Sequence, residues 1–291
     1  MTTRVAPAKV NLWLHVAAPD GRGYHPLQSL VAFADIGDAV SLVETTGSED
    51  KLSPELSLSG PFSDGLSAGE DNLILKAVRA FEAAASLRVD RHDIHLAKTL
   101  PIASGLGGGS ADAGAVLHLL RDAYAPAMSD HDLSAIAAKT GADGVMCLWA
   151  RPAFASGYGE RLTPVRLPPV PAVLVNPGVE CSTAAVYRGF DATGPFSALD
   201  AVAEDIVNVE QLVLALAGTR NDLQAPAINL QPVIAEVLSD LDAQPETAFA
   251  RMSGSGATCF ALCRSDADAQ ALGRRMQLLR PGAWVASCRL G

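Results

Sequence analysis

The stretch Pro101-Ile-Ala-Ser-Gly-Leu-Gly-Gly-Gly-Ser-Ala-Asp112 lies between a predicted strand and a predicted helix, and that placement decides the fold. The strand is His92–Leu100, ended by Pro101; the helix is Ser110–Tyr124, with Val116, Leu119 and Leu120 turned inward. Four glycines (Gly105, Gly107, Gly108, Gly109) let the main chain take positive φ and approach a ligand closely. That is too large an entropic cost for a mere turn. Unpaired N–H groups of the loop and of the first helical turn form a cup for an anion, and a phosphate chain is the natural occupant. The loop is not a Walker A sequence, because no Lys-Ser/Thr follows its last glycine. It is not GxGxxG either, since Ser110 takes the sixth position.

On the N-terminal side of the loop, the segment from Arg4 to Val16 alternates as a strand. Val10, Leu12, Leu14 and Val16 share one face, and Lys9, Asn11, Trp13 and His15 share the other. A second strand is expected at Ala39–Glu44. A helix is expected at Asp71–Ser86, opened by Asp71, with Ile74, Ala77, Val78, Phe81 and Ala84 buried. On the C-terminal side, a helix Asp130–Thr140 stops at Gly141, and Ala153–Pro164 reads as a hairpin. Pro164, Pro168, Pro169 and Pro171 exclude a helix there and place a domain boundary at 163/164. Beyond it the sequence predicts a strand Ala172–Asn176, helices near Thr183–Tyr187, Ala201–Ala217 and Leu230–Leu241, a strand Ala257–Cys263, a helix Ala267–Leu279 and a strand Trp284–Arg289. The fold class is α+β, in two lobes.

The composition fits a soluble enzyme: 291 residues, 49% hydrophobic and 19% charged, with a net charge of −10. No Lys/Arg-rich run marks a nucleic-acid footprint, and no apolar run is long enough to span a membrane. Five cysteines without a CxxC pair argue against a disulfide framework or a structural zinc and for a reducing, cytoplasmic setting. With so negative a chain, an anionic ligand must be held by local donors.

Other segments carry chemistry in combination. Arg251-Met-Ser-Gly-Ser-Gly-Ala-Thr-Cys259 joins two predicted strands, and its small residues admit a ligand or a neighbouring loop. Asp143 lies in Thr140-Gly-Ala-Asp-Gly-Val145, where it reads equally as a helix cap. In a phosphoryl-transfer site a carboxylate takes the proton of the attacking hydroxyl, and an ammonium such as that of Lys9 stabilises developing charge. Tyr24 and His25, in a glycine-bounded loop, suit stacking on a planar ring. The remaining histidines show no metal-ligand spacing, and no serine lies in GxSxG.

These segments resemble the small-molecule kinases named for galactokinase, homoserine kinase, mevalonate kinase and phosphomevalonate kinase (GHMP). The superfamily's three motifs are matched in order by Ala6–Leu12, Pro101–Ala113 and Arg251–Phe260. Segments 7–14, 23–28 (Gly-Tyr-His-Pro-Leu-Gln), 69–74, 105–112, 141–143 and 221–223 resemble the branch whose acceptor is 4-diphosphocytidyl-2-C-methyl-D-erythritol. The Gly-Tyr-His element distinguishes that branch.

The resemblance implies a two-lobed GHMP fold, each lobe a sheet covered by helices, with the active site in the cleft and lobes at 1–163 and 164–291. It implies phosphorylation of a hydroxyl to the 2-phosphate, with ATP and Mg2+, in the non-mevalonate route to isoprenoids. Lys9 and Asp143 would be the catalytic pair, with Asp143 the base. Pro101, Ser104, Gly105, Gly107, Gly108, Gly109 and Ser110 would hold the ATP phosphates, Ser110 helping with magnesium, and Asn72 and Lys98 would line the adenosine pocket. Tyr24 and Tyr187 would sandwich the cytosine, His25 would read its edge, and Asn11 and Thr183 would lie nearby. The implied partner is a small molecule bearing a cytidine diphosphate, with neither nucleic acid nor membrane, for a monomer or weak homodimer. A homoserine- or mevalonate-type kinase stays open, as does a nucleotide sensor, which the presence of both Lys9 and Asp143 disfavours. The family continues Gly-Ala-Asp with Val-Pro; here Gly144-Val145 follow. A helical glycine costs about 1 kcal/mol relative to alanine, so a looser helix beside Asp143 is expected.

Overall fold

The computed structural model describes residues 1–45, 54–192, 196, 198–199, 201 and 205–291. The alternating N-terminus forms β1 (Thr2–Val16), and from Ala8 onward both of its faces are buried. The next strand, β2 (Leu27–Glu44), is three times as long as the expected Ala39–Glu44. Its first half is an apolar run without alternation, which periodicity alone does not mark as strand. Gly37 sits mid-strand because a Cβ there would stand 2.1 Å from Ala6 O.

The chain forms two compact units that interleave in sequence. One holds Met1–Ala8, Ile36–Ile102 and Gly107–Ala150; the other holds Lys9–Asp35, Ala103–Leu106 and Arg151–Gly291. These differ from a division at 163/164, because β1, β2 and the glycine loop each supply residues to both.

In the first unit β3 (Leu56–Ser59) pairs parallel with β4 (His92–Ala97), and β4 pairs antiparallel with β2 from Ala39↔Ala97 to Glu44↔His92. Helices α1 (Leu73–Ala85), α2 (Gly108–Tyr124), α3 (Asp130–Ala137) and α4 (Gly144–Trp149) pack on one another. The cap of α1 is Asn72, not Asp71: Asn72 Oδ1 accepts from Ile74 N at 2.9 Å, while Asp71 accepts from Ser67 Oγ. Ile74, Leu75, Ala77, Val78 and Phe81 are buried, whereas Ala84 is exposed.

In the second unit β5 (Ala153–Ser156) and β6 (Arg161–Pro164) form the expected hairpin, and β5 pairs with the first half of β2. An antiparallel sheet runs β10–β7–β9–β8, built from β7 (Val170–Asn176), β8 (Phe249–Met252), β9 (Cys259–Leu262) and β10 (Trp284–Leu290). The helices are α5 (Thr183–Asp191), α6 (Val209–Ala217), α7 (Gln224–Leu230), α8 (Val233–Asp242) and α9 (Asp266–Leu279). Val173, Val175, Val237, Leu241, Cys259, Ala261 and Leu272 meet in its core. The helix expected at Leu230–Leu241 is broken at Gln231–Pro232, since proline cannot supply the N–H that a continuous helix needs. The helix expected at Ala201–Ala217 starts at Val209, capped by Asn208; residues 202–204 of that span lie outside those described. All five cysteines are buried and unpaired with one another. No described helix is long and apolar enough to cross a membrane.

Candidate active site

The glycine loop is held differently at its two ends. In the second unit, Ser253 Oγ donates to Gly105 O at 3.1 Å, and Thr258 N donates to Ser104 O at 3.1 Å. Gly105 has φ +75°, and a Cβ on it would lie 2.6 Å from Ser253 O and 2.8 Å from Gly256 O. The small residues of the third motif therefore admit a neighbouring loop, and that neighbour is Ser104–Gly105. Asn221 Nδ2 clamps the same motif by donating to Met252 O and Gly254 O, both at 2.8 Å. Arg251 is buried, and its guanidinium donates to the carbonyls of Leu12, Leu216 and Thr219 and to Thr219 Oγ1. Burial lowers its pKa to about 10.

Lys9 is 6% exposed, and its main-chain N–H donates to Leu106 O at 2.8 Å, directly between Gly105 and Gly107. The buried Asn11 bonds through its N–H to Ser253 Oγ and through Nδ2 to Ser29 Oγ. Thr183 Oγ1 lies 2.8 Å from Ser255 Oγ. Asn11, Ser104, Gly105 and Thr183 are thus gathered around the third motif, and Lys9 is bonded to the loop at Leu106.

In the first unit the loop becomes α2 two residues earlier than expected, with Gly107 as its left-handed N-cap at φ +63°. There is no side-chain cap and no acid in the first turn, so the opening N–H groups stay available to an anion. Beneath this turn lies a cluster that sequence reasoning did not assemble. Lys98 Nζ pairs with Asp38 Oδ2 and, at 3.0 Å, with Asp112 Oδ2; the three residues are 3%, 0% and 2% exposed. Asp38 Oδ1 also accepts from Thr99 N at 2.6 Å and Leu100 N at 2.8 Å, where the strand enters the loop. A Cβ at Gly108 would meet Lys98 Nζ at 2.9 Å. Desolvation pushes the Asp112 carboxyl up to about 7 against the pull of the ammonium, and Asp112 Oδ1 has no hydrogen-bond partner among the described residues. Burial works against the charge on Lys98, but Asp112 and Asp38 outweigh it and raise its pKa. The Lys98 ammonium is therefore engaged with two carboxylates. The Asn72 amide is likewise engaged as a cap, with Nδ2 donating to Ser67 O.

Asp143 stands at the N-cap position of α4, as one of the two readings expected, but makes no side-chain capping bond. One turn on, Cys147 Sγ reaches Gly107 O at 3.9 Å, which ties this helix to the loop. Gly144 does not loosen α4: a Cβ there would stand 2.0 Å from Ala137 O and 2.8 Å from Thr140 Oγ1. A valine there does not fit without moving backbone. Gly144→Val is expected to lower stability by about 1–3 kcal/mol in urea unfolding, the range for overpacked interiors, and to lower kcat by displacing Asp143.

The third group is aromatic. His25 Nε2 lies 2.7 Å from Asp191 Oδ1, and its ring lies 5.0 Å from the ring of Tyr187 and 5.9 Å from that of Phe190. Tyr24 is 64% exposed, 6.3 Å edge-on from Tyr158, with the Arg22 guanidinium over both rings. Among the described residues, no group of three or more His, Cys, Asp or Glu could hold a metal ion. Ser110 stands in the first turn of α2.

The sequence profile for the GHMP kinases N terminal domain matches residues 72–151, and that for GHMP kinases C terminal matches 197–279. A protein of Caulobacter vibrioides (strain NA1000 / CB15N) described as 4-diphosphocytidyl-2-C-methyl-D-erythritol kinase is 52% identical over 289 residues, 98% of each chain. The crystal structure of a 4-(cytidine 5'-diphospho)-2C-methyl-D-erythritol kinase is similar with a TM-score of 0.78 at 34% identity, covering 100% of this chain and 99% of that one. A homoserine kinase from Cytophaga hutchinsonii shares the fold, with a TM-score of 0.65 at 19% identity over 99% of this chain and 96% of that one. With both profiles matched in order and such identity along nearly its whole length, the chain belongs to the 4-diphosphocytidyl-2-C-methyl-D-erythritol kinase family of the GHMP kinases.

Proposed function

We propose that this kinase transfers the γ-phosphoryl group of ATP to a hydroxyl of 4-diphosphocytidyl-2-C-methyl-D-erythritol, giving the 2-phosphate, in the non-mevalonate route of the cytoplasm. The observation that carries the reading is the position of Lys9, a buried lysine whose own main chain is bonded into the glycine loop at Leu106. The N–H groups of Gly105 to Ser110 hold the phosphates. The acceptor oxygen attacks the γ-phosphorus as the bond to the β–γ bridging oxygen breaks, ADP departs, and Asp143 takes the hydroxyl proton. The Lys9 ammonium stabilises the charge that develops. Ser110 would hold magnesium together with the phosphate oxygens, and the ion would offset phosphate charge. Pro101 and Ser104 set the entry to the loop. Asn72 and Lys98 line the adenosine pocket.

On the acceptor side, Tyr24 and Tyr187 stack on the cytosine, His25 reads its edge, and Asn11 and Thr183 lie nearby. The proximity of His25 to Tyr187 supports this arrangement. The chain is expected to work as a monomer or weak homodimer. Incubation with ATP and the proposed acceptor should give, by mass spectrometry, a product heavier by one phosphoryl group. Turnover of homoserine or mevalonate in its place would overturn the assignment.

A further inference from the structure

Helix α5 carries Tyr187, Phe190 and Asp191 at positions i, i+3 and i+4, which share one face. That face meets His25. Tyr187 and Phe190 pack on the imidazole, and the Asp191 carboxylate holds Nε2 at 2.7 Å. The His25 side chain is only 8% exposed, while that of Asp191 is 42% exposed, so the ring is enclosed and the carboxylate sits at the rim. Asp191 is the last residue of α5, where the helix dipole disfavours an anion. Local helix energetics do not explain an acid at this position. The imidazole does.

A carboxylate only accepts, so the shared hydrogen lies on Nε2. In the neutral ring this leaves Nδ1 as a bare acceptor, and no hydrogen bond to Nδ1 is made among the described residues. A pyrimidine edge tests that atom directly. Cytosine presents an exocyclic amino donor where uracil presents a carbonyl acceptor. A bare Nδ1 accepts from the first and opposes the lone pairs of the second, so the site selects by repulsion as well as by attraction.

We propose that Asp191 is a positioning residue that fixes the tautomer of His25 and thereby makes the site prefer an amino-bearing pyrimidine over its oxo counterpart. The inference rests on the reading of His25 as the group at the base edge. It does not require Asp191 to touch substrate.

The test is Asp191→Ala, with Asp191→Asn beside it, assayed with the cytidine diphosphate acceptor and its uridine diphosphate analogue. In Asp191→Ala the preference for cytidine should fall about tenfold, through KM for the cytidine acceptor and with kcat held, because the hydrogen bond that orders the ring is gone. In Asp191→Asn the amide can donate to Nε2 and reverse the tautomer, so the preference should fall further, towards the uridine form. Nitrogen NMR of the wild-type enzyme in mildly alkaline buffer should show Nδ1 as the unprotonated nitrogen of His25. Asp191→Ala should show a mixture.

An unchanged cytidine preference in Asp191→Ala, or a protonated Nδ1 in the wild type, overturns the inference while leaving the cytidine reading intact. Equal use of both acceptors by the wild type overturns that reading, and this inference with it.

Discussion

Asp143→Asn is expected to lower kcat about 10²–10⁴-fold, the span attributable to a general base, while ATP affinity stays at the wild-type value. The substitution removes no capping bond from α4, since the Asp143 side chain gives none. Asparagine keeps the volume of the side chain and loses the ability to take a proton. The φ of −85° and ψ of 0° at this position suit it equally well. The glycine loop is bonded to Ser253, Thr258 and Cys147. The check is ADP release under saturating acceptor, together with calorimetric titration of ATP on the same variant. A kcat near the wild-type value would remove Asp143 from the base role, and loss of ATP binding would show that the carboxylate supports the loop instead.

Lys98→Met should cost about 3–5 kcal/mol of stability, because it leaves charge buried without its counter-ion. Two carboxylates, both essentially inaccessible to water, share this one ammonium. Asp38 retains the Thr99 and Leu100 N–H donors after the change, so Asp112 suffers most; it already carries one oxygen without a partner. Adding Asp112→Asn to Lys98→Met should therefore recover part of the loss, a coupling that a double-mutant cycle measures. Urea unfolding of the four proteins decides it. A single-variant loss below about 1 kcal/mol would mean that the cluster is hydrated rather than buried.

The glycine loop is legible in the sequence because its chemistry is local: four glycines, a strand before and a helix after. The same holds for β1 and for the hairpin Ala153–Pro164, where neighbouring residues satisfy one another. What escapes is set by distant partners. Asp38 and Lys98 lie 60 residues apart and neither stands in a pattern, so the charge cluster exists only once β2 and β4 pair. The choice of Asn72 over Asp71 as a cap turns on which of two good capping residues adopts the extended backbone. Gly144 misleads for a related reason: its cost in an isolated helix is real, but the carbonyl of Ala137 leaves no room for anything larger. Asp191 carried a faint signal, an acid at the wrong end of a helix, that only the ring of His25 makes intelligible.

Arg251 grips oxygens that every amino acid possesses. Three of its four acceptors are peptide carbonyls, at Leu12, Leu216 and Thr219; Thr219 also supplies its hydroxyl, but at Leu12 and Leu216 the identity of the side chain does not matter to the grip. Across a lineage those positions can drift while the arginine stays, and a search for residues that change in concert with Arg251 should come back nearly empty. An anchor made this way leaves almost no trace in its partners.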